Sequence, residues 1–455
     1  MTTPTRTLTG PRGVPLLGVL PSMAQDALGF FERTASEHGG VALLDFGLKK
    51  LVLITEPDAI KHVLQDNHRN YVRGRSVDSA RLLLGNGLAL NNGESWLRQR
   101  RLMQPAFHRQ RVARFADLIV ARAEETAQSW GRAAAGNQPV DVADDMMKLT
   151  LRIVVEAMFS EDVRDRLDVL GEAFDVAQHF IYWHGRTPLA PPLRVPTPAN
   201  RRFLRARRIL DAIVYDLIRE RRERPERQRS AEAHDLLDML LASRDADTGE
   251  GMTDTQVRDE VMTIFFAGHE TTMTLLTWVW YVLATLPEIE SDLLAELRVV
   301  LGGRAPSLED VQRLEYTDRI LSETLRLYSP TWMYARESVE DDVVCGYPIA
   351  RGTSLLISPY VAHRDRRWWP EPTRFDPDRF LPDRSAGRHR FAYLPFGAGP
   401  HLCIGRDLAL MEARLIVALL AQRFGLERVS DHQPQMMPQV TLRPKGGMPM
   451  FVRER

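Results

Sequence analysis

Phe396-Gly397-Ala398-Gly399-Pro400-His401-Leu402-Cys403-Ile404-Gly405 decides how this chain is read. It precedes a strongly apolar helical run, Leu408 to Phe424, and carries one of only two cysteines in 455 residues. Backbone N–H groups and the positive end of a helix dipole favour a thiolate over a thiol. Gly397, Gly399 and Gly405 permit a tight loop and a close approach of a flat ligand to the backbone. Phe396 can cover the sulfur and exclude water. A lone cysteine is more often a buried structural residue, but a Phe, three Gly and a Cys in ten residues ask for more than packing. A shielded thiolate under an aromatic lid suits axial ligation of haem iron.

Upstream, a long helical pattern runs from Asp254 to Leu286 and carries Ala267-Gly268-His269-Glu270-Thr271-Thr272. Polar groups amid an apolar helix are costly unless used. Thr271 can bond back to the Ala267 carbonyl and loosen the helix into a bulge. Gly268 removes a side chain that would block a small ligand. The expectation is a groove sized for dioxygen, with a hydroxyl and a carboxylate placed for proton delivery; a Thr/Glu kink without chemistry is the plainer alternative. Glu323-Thr324-Leu325-Arg326 puts an acid and a base on one helical face. Phe375-Asp376-Pro377-Asp378-Arg379-Phe380 follows about fifty residues later, by order of chain position.

Together these segments resemble the cytochrome P-450 family. Its haem-binding signature is Phe-x-x-Gly-x-x-x-Cys-x-Gly, its acid–alcohol pair is Ala/Gly-Gly-x-Glu/Asp-Thr, and the resemblance runs from Pro11 to the C-terminus. It implies haem b as cofactor and Cys403 as the metal ligand, with Phe396, Gly397, Gly399, Gly405, Ala267 and Gly268 around the haem. Glu270 and Thr271 are the implied catalytic pair. Trp96 and Arg100, four apart on one helix, and Arg336 are implied contacts of the haem propionates; read alone, Trp96 to Arg101 is an ordinary basic helix. His401 stands where many members carry Arg. Glu323, Arg326 and Arg379 become a buried structural cluster, with Asp378 in place of the family's Glu. Ala89, Phe265, Trp332, Met333 and Val440 are the implied substrate pocket.

Composition agrees with a large folded body. Hydrophobic residues make up 44%, and the 60 basic and 60 acidic residues cancel, so nucleic-acid binding has no support. Two cysteines exclude a disulfide scaffold and fit a reducing cytosol. Met1 to Gly18 is polar and proline-rich, with no apolar stretch long enough for a signal peptide or membrane span. Further helical patterns cover Val112–Ala134, Met146–Phe159, Leu167–Trp183, Arg201–Arg224, Ala231–Arg244 and Leu314–Leu327. A proline-rich break lies at Thr187–Pro198, a charged linker at Arg221–Arg229, and a mobile loop with a short helix at Arg73–Asn92. Hairpins are expected at Val41–Thr55 and at the C-terminus, Val440 to Val452, and Cys345 is read as a buried strand residue without chemistry.

The expected fold is mainly α with a small β-rich lobe (α+β), one haem-binding domain over 1–455, with strands near 41–55, 342–358 and 440–452. The expected reaction inserts one oxygen atom from O2 into a small apolar substrate. Electrons come from NAD(P)H through a ferredoxin-type partner, steered by Arg98, Arg101 and Arg406. A soluble, cytoplasmic monomer of bacterial type is expected. A small Ala89 favours a terpenoid or steroid; Lys49 and Lys50 could instead hold a fatty-acid carboxylate. A peroxide-using peroxygenase and a haem-based gas sensor are the competing readings.

Overall fold

The computed structural model describes residues 6–47, 49–160, 164–187, 190–223, 235–429 and 432–455. Residues 224–229 of the charged linker and the expected helix start at Ala231 lie outside the described residues, as do Leu48 of the first hairpin turn and Pro188-Leu189 of the proline-rich break.

Apolar periodicity becomes helix nearly everywhere it was expected. Helices span Ala116–Ala135, Val142–Phe159, Arg164–Arg186, Pro198–Glu223, Leu236–Ala242, Asp254–Thr285, Glu315–Leu327 and Arg406–Arg423. Their ends follow local chemistry. Asp141 accepts from the Ala143 N–H ahead of Val142–Phe159, and Thr253 with Gln256 forms a capping box ahead of Asp254–Thr285. The last helix is buried on most of its length, in keeping with its unbroken apolar run.

The strands are β1 (Val41–Asp45), β2 (Lys50–Ile54), β3 (Tyr71–Val72), β4 (Pro139–Asp141), β5 (Tyr334–Ser338), β6 (Asp342–Val344), β7 (Tyr347–Ile349), β8 (Ser354–Ile357), β9 (Phe424–Arg428), β10 (Met436–Pro438), β11 (Leu442–Pro444) and β12 (Pro449–Glu454). The chain divides into two compact units. One comprises Asp318–Cys403 and Gln435–Lys445 with the chain up to Ser76; the other comprises Val77–Thr317, Ile404–Pro434 and Gly446–Arg455.

The first unit holds a five-stranded sheet in the order β1-β2-β8-β5-β3. The β1–β2 hairpin pairs Val41 with Ile54 and Asp45 with Lys50. β8 then lies parallel to β2, with Leu51 opposite Ser354. Val52, Ile54, Leu355 and Ile357 pack with Ile60, Val63, Phe391 and Leu394. This apolar layer ties the sheet to the segment leading into Cys403. Each such side chain contributes roughly 1.5–3 kcal/mol when fully buried.

In the second unit the helix Asp254–Thr285 is buried on almost every face and packs chiefly on Val142–Phe159. Trp130 lies edge-on to Trp280, ring centroids 5.2 Å apart, and its indole N–H donates to Asp145 at 2.8 Å. Desolvation there raises the Asp145 pKa.

Three expectations need correction. The C-terminal hairpin does not form: β11 pairs with β10, whereas β12 pairs with β9 and β4. Gly446 and Gly447, with φ of 81° and 79°, turn the chain between the two sheets. The stretch 73–92 contains the expected short helix, Asp78–Leu84, but Gly85–Leu90 beyond it is not loose, because several hydrogen bonds hold it. Cys345 sits at the β6–β7 turn with φ 50°, not within a strand. Among the described residues no helix is long and apolar enough to cross a membrane.

Candidate functional site

The cysteine loop is set by its backbone. The Cys403 N–H donates to the Phe396 carbonyl at 3.0 Å, Gly397 N–H to Leu394 at 3.1 Å, and Leu402 N–H to Gly399 at 3.1 Å. Gly397 and Gly399 have φ of 71° and 67°, the left-handed region that glycine adopts without strain. A Cβ on Gly399 would also lie 1.9 Å from the Leu64 carbonyl. Gly405 is different: φ is −86° and an added Cβ would meet nothing within 4 Å. The chain itself does not require glycine there, which agrees with a ligand approaching that backbone. Cys403 is exposed, unusual for a residue type that is mostly buried; Phe396 and His401 are half-buried beside it in the loop.

His363 anchors this loop. Its Nε2 accepts from the Leu394 N–H at 2.8 Å, so Nδ1 carries the proton and donates to the Arg326 carbonyl at 3.2 Å. Burial, with Arg326 and Arg364 nearby, pushes the imidazole pKa down from 6.5 to about 3. The folded ring stays neutral where an unfolded histidine gains a proton. Stability from this group is therefore complete above pH 6.5 and falls as pH drops toward about 3. The slope is up to about 1.4 kcal/mol per pH unit. Urea unfolding midpoints measured across that range are expected to fall, and His363→Gln, which keeps one donor and one acceptor, to flatten the fall; an equal slope in both proteins would refute the role.

Glu323, Arg326 and Arg379 are brought together, at 0%, 0% and 3% exposure. Arg326 grips Glu323 with two bonds of 2.7 Å, and Arg379 stands 3.3 Å from the same carboxylate. The remaining Arg326 hydrogens go to the carbonyls of His363, Pro372 and Arg374. Asp378 reaches Arg319 at 3.3 Å instead of joining the cluster.

Arg336 lies on β5, half-buried, with its pKa lowered by desolvation. Among the described residues it forms no ion pair; it donates to the Ala335 carbonyl and lies 5.7 Å from the Tyr334 ring. Among the described residues the buried Tyr334 hydroxyl has no hydrogen-bond partner. A desolvated cation lacking an anion is costly, and an acidic group on a ligand would offset that cost. Exposed thiol, glycine cradle and uncompensated guanidinium all fit haem with its propionates.

In the second unit, Trp96 is buried and Arg100 half-buried on the helix Gly93–Met103. Thr271 donates to the Ala267 carbonyl at 2.7 Å, and Thr272 to that of Gly268 at 3.0 Å. The expected bulge is absent: the helix remains α throughout, because the hydroxyls add bonds to carbonyls without displacing the backbone ladder. Ala267 is exposed midway along this otherwise buried helix. A Cβ on Gly268 would lie 2.9 Å from Val154, so the glycine lets two helices approach. Glu270 is 1% exposed and accepts from Gln178 on Arg164–Arg186, a partner the sequence did not reveal.

The expected pocket residues divide. Ala89 is exposed, and Met333 and Val440 are half-buried. Phe265 is core: 1% exposed, with its ring 5.5 Å from Phe159 and 6.3 Å from Phe174. Trp332 is core also, packed near Phe31 with its indole donating to Gln439 at 2.9 Å. The basic steering patch is internally neutralised. Arg98 lies within 4 Å of Asp245 and Glu250, Arg101 is 2.6 Å from Asp247, and Arg406 is 3.0 Å from Asp407. Lys50 stands 3.9 Å from Asp45, which weakens it as a carboxylate holder.

Comparison with known proteins agrees with this geometry. Residues 8–451 match the family described as Cytochrome P450. Cyclooctatin synthase of Streptomyces melanosporofaciens is 36% identical over 434 residues, covering 95% of this chain and 92% of that protein. Pentalenene oxygenase of Streptomyces avermitilis is 35% identical, covering 94% and 93%. Among solved structures, the heme domain of cytochrome P450DA superposes with a TM-score of 0.90 at 29% identity, covering 100% of this chain and 99% of that one.

Proposed function

The chain belongs to the cytochrome P450 family, and from that premise we propose that it is a terpenoid monooxygenase, fed with electrons from NAD(P)H by a separate ferredoxin and reductase. The reading makes the whole chain one haem-binding domain acting as a cytoplasmic monomer. The observation that carries the substrate class is the likeness, over nearly the full length of both chains, to terpene-related oxygenases. An exposed Ala89, too small to fill space above a ligand, supports a bulky substrate.

Haem held by a thiolate supplies dioxygen activation and transfer of one oxygen atom to the substrate. The chain's own residues do the rest. Cys403 presents the thiolate, with Phe396 beside it in the loop. Arg336, with Trp96 and Arg100, would hold the propionates. Gln178 fixes the buried Glu270 carboxyl, which stands with Thr271 for proton delivery. The Thr271 hydroxyl, now bonded to the Ala267 carbonyl, can turn and hand on a proton.

Thr271→Ala is expected to keep haem and consume NADPH while most reducing equivalents emerge as hydrogen peroxide. Peroxide and product assays settle it: full coupling in the variant removes Thr271 from proton delivery. The substrate class is tested by titrating the ferric protein with cyclic terpenoids, steroids and linear fatty acids and following the spin-state shift. Turnover with surrogate ferredoxin and reductase is then measured for each binder. Cyclic terpenoids should bind and be oxygenated; oxygenation confined to linear acids would overturn the assignment.

A further inference from the structure

Gly85–Leu90, between the helices Asp78–Leu84 and Gly93–Met103, is held on the long helix by two adjacent carboxylates. The Asn86 N–H donates to Asp259 Oδ2 at 2.8 Å, and the Leu88 N–H donates to Glu260 Oε2 at 2.9 Å. The fit is tight enough to demand glycine on either side of Asn86. Gly85 has φ 59° and an added Cβ would lie 2.2 Å from Asp259 Oδ1; a Cβ on Gly87 would lie 2.0 Å from Thr263 Oγ1. The other side of the loop is fastened as well. The Asn86 carbonyl accepts from Gln99 at 2.8 Å, and Arg81 donates to the Asn86 side chain at 2.8 Å and to the Leu90 carbonyl at 2.5 Å. Leu88 and Leu90 are each 6% exposed, whereas Ala89 between them is exposed.

Packing alone does not call for this arrangement. Glu260 is 0% exposed, and burying a carboxyl carries a desolvation cost that an apolar side chain of like size would avoid. Burial pushes its pKa up to about 8; the bond from the Leu88 N–H works against that shift and the like charge of Asp259 adds to it. Asp259 is held in turn by Arg258 at 2.9 Å. The two acids hold alternate residues of the loop, and burial of Leu88 and Leu90 fixes the direction of the one side chain between them.

We propose that Asp259 and Glu260 are positioning residues for substrate: they clamp the Gly85–Leu90 loop so that Ala89 forms a fixed wall, and thereby set how bulky ligands sit. This rests on the reading of Ala89 as a pocket residue made above. Substituting either acid by an apolar side chain frees the loop amides; an amide side chain keeps the acceptor and therefore the clamp.

The test uses the full haem-loaded chain and two measurements. Amide hydrogen exchange of the peptide spanning 84–91 should accelerate about tenfold in Glu260→Leu, the loss of one buried hydrogen bond, and stay near wild type in Glu260→Gln. The ratio of spectral dissociation constants for 4-phenylimidazole and imidazole reads the wall separately from haem. It should change several-fold in Glu260→Leu and be restored in Glu260→Gln. Gly87→Ala, which drives the loop off Thr263, should act like Glu260→Leu and serves if that variant does not load haem. Faster exchange with an unchanged ratio, or neither change, would overturn the proposal. Failure of wild type to bind imidazole would instead sink the haem-thiolate reading on which it rests.

Discussion

Cys403→Ser is expected to abolish NADPH-dependent oxygenation while leaving the helical content of the chain intact. Cys403 is exposed, so its sulfur contributes little buried area. The loop is shaped by backbone bonds from Cys403 to Phe396 and from Gly397 to Leu394, which serine keeps. What serine cannot supply is a thiolate: its hydroxyl stays protonated at any working pH, and the electron donation that favours O–O cleavage is lost. Product formation with surrogate ferredoxin and reductase, followed by mass spectrometry, should fall below detection, with far-UV circular dichroism unchanged. Persistent product would remove Cys403 from its role.

Glu323→Ala carries the next largest effect. Among the described residues the carboxylate is the one acid that forms an ion pair with both Arg326 and Arg379, and it also accepts from the Asp376 N–H at 3.0 Å. Its removal leaves two buried guanidiniums without a counter-charge, a cost on the order of 3–5 kcal/mol. Total stability is typically about 5–15 kcal/mol. Arg326 also gathers the carbonyls of His363, Pro372 and Arg374, so the segment leading to the cysteine loop should loosen. The expected result is a collapse in the yield of folded, haem-loaded protein and a melting temperature lower by several degrees. A melting temperature equal to wild type would show the cluster to be dispensable.

What the sequence made legible follows from distance along the chain. The helix start at Thr253, the turn glycines Gly397 and Gly399, and the Glu323–Arg326 pair depend on neighbours within a few residues, and all lie where local chemistry puts them. The Cys403 loop was readable for the same reason. Pairings across hundreds of residues were not. Nothing near Pro449–Glu454 announces β4 as its neighbour, so a C-terminal hairpin was the natural error. Nor does the basic run at Arg98–Arg101 reveal that Asp245 and Asp247 sit against it. The long helix hid its faces for a different reason. It is apolar nearly all round, so periodicity gave no way to tell that Phe265 and Gly268 serve helix packing while Ala267 stays exposed. Gln178 and His363 escaped because their value lies in partners, Glu270 and the Leu394 N–H, that only folding supplies.

The most direct measurement is the absorption spectrum of the purified, reduced protein under carbon monoxide. With Cys403 as the thiolate ligand, the Soret band shifts strongly to the red and does so in proportion to haem content. A fully loaded, freshly reduced protein whose band stays where histidine-ligated haem absorbs would contradict that ligand, and with it the assignment of the cysteine loop as the centre of the site.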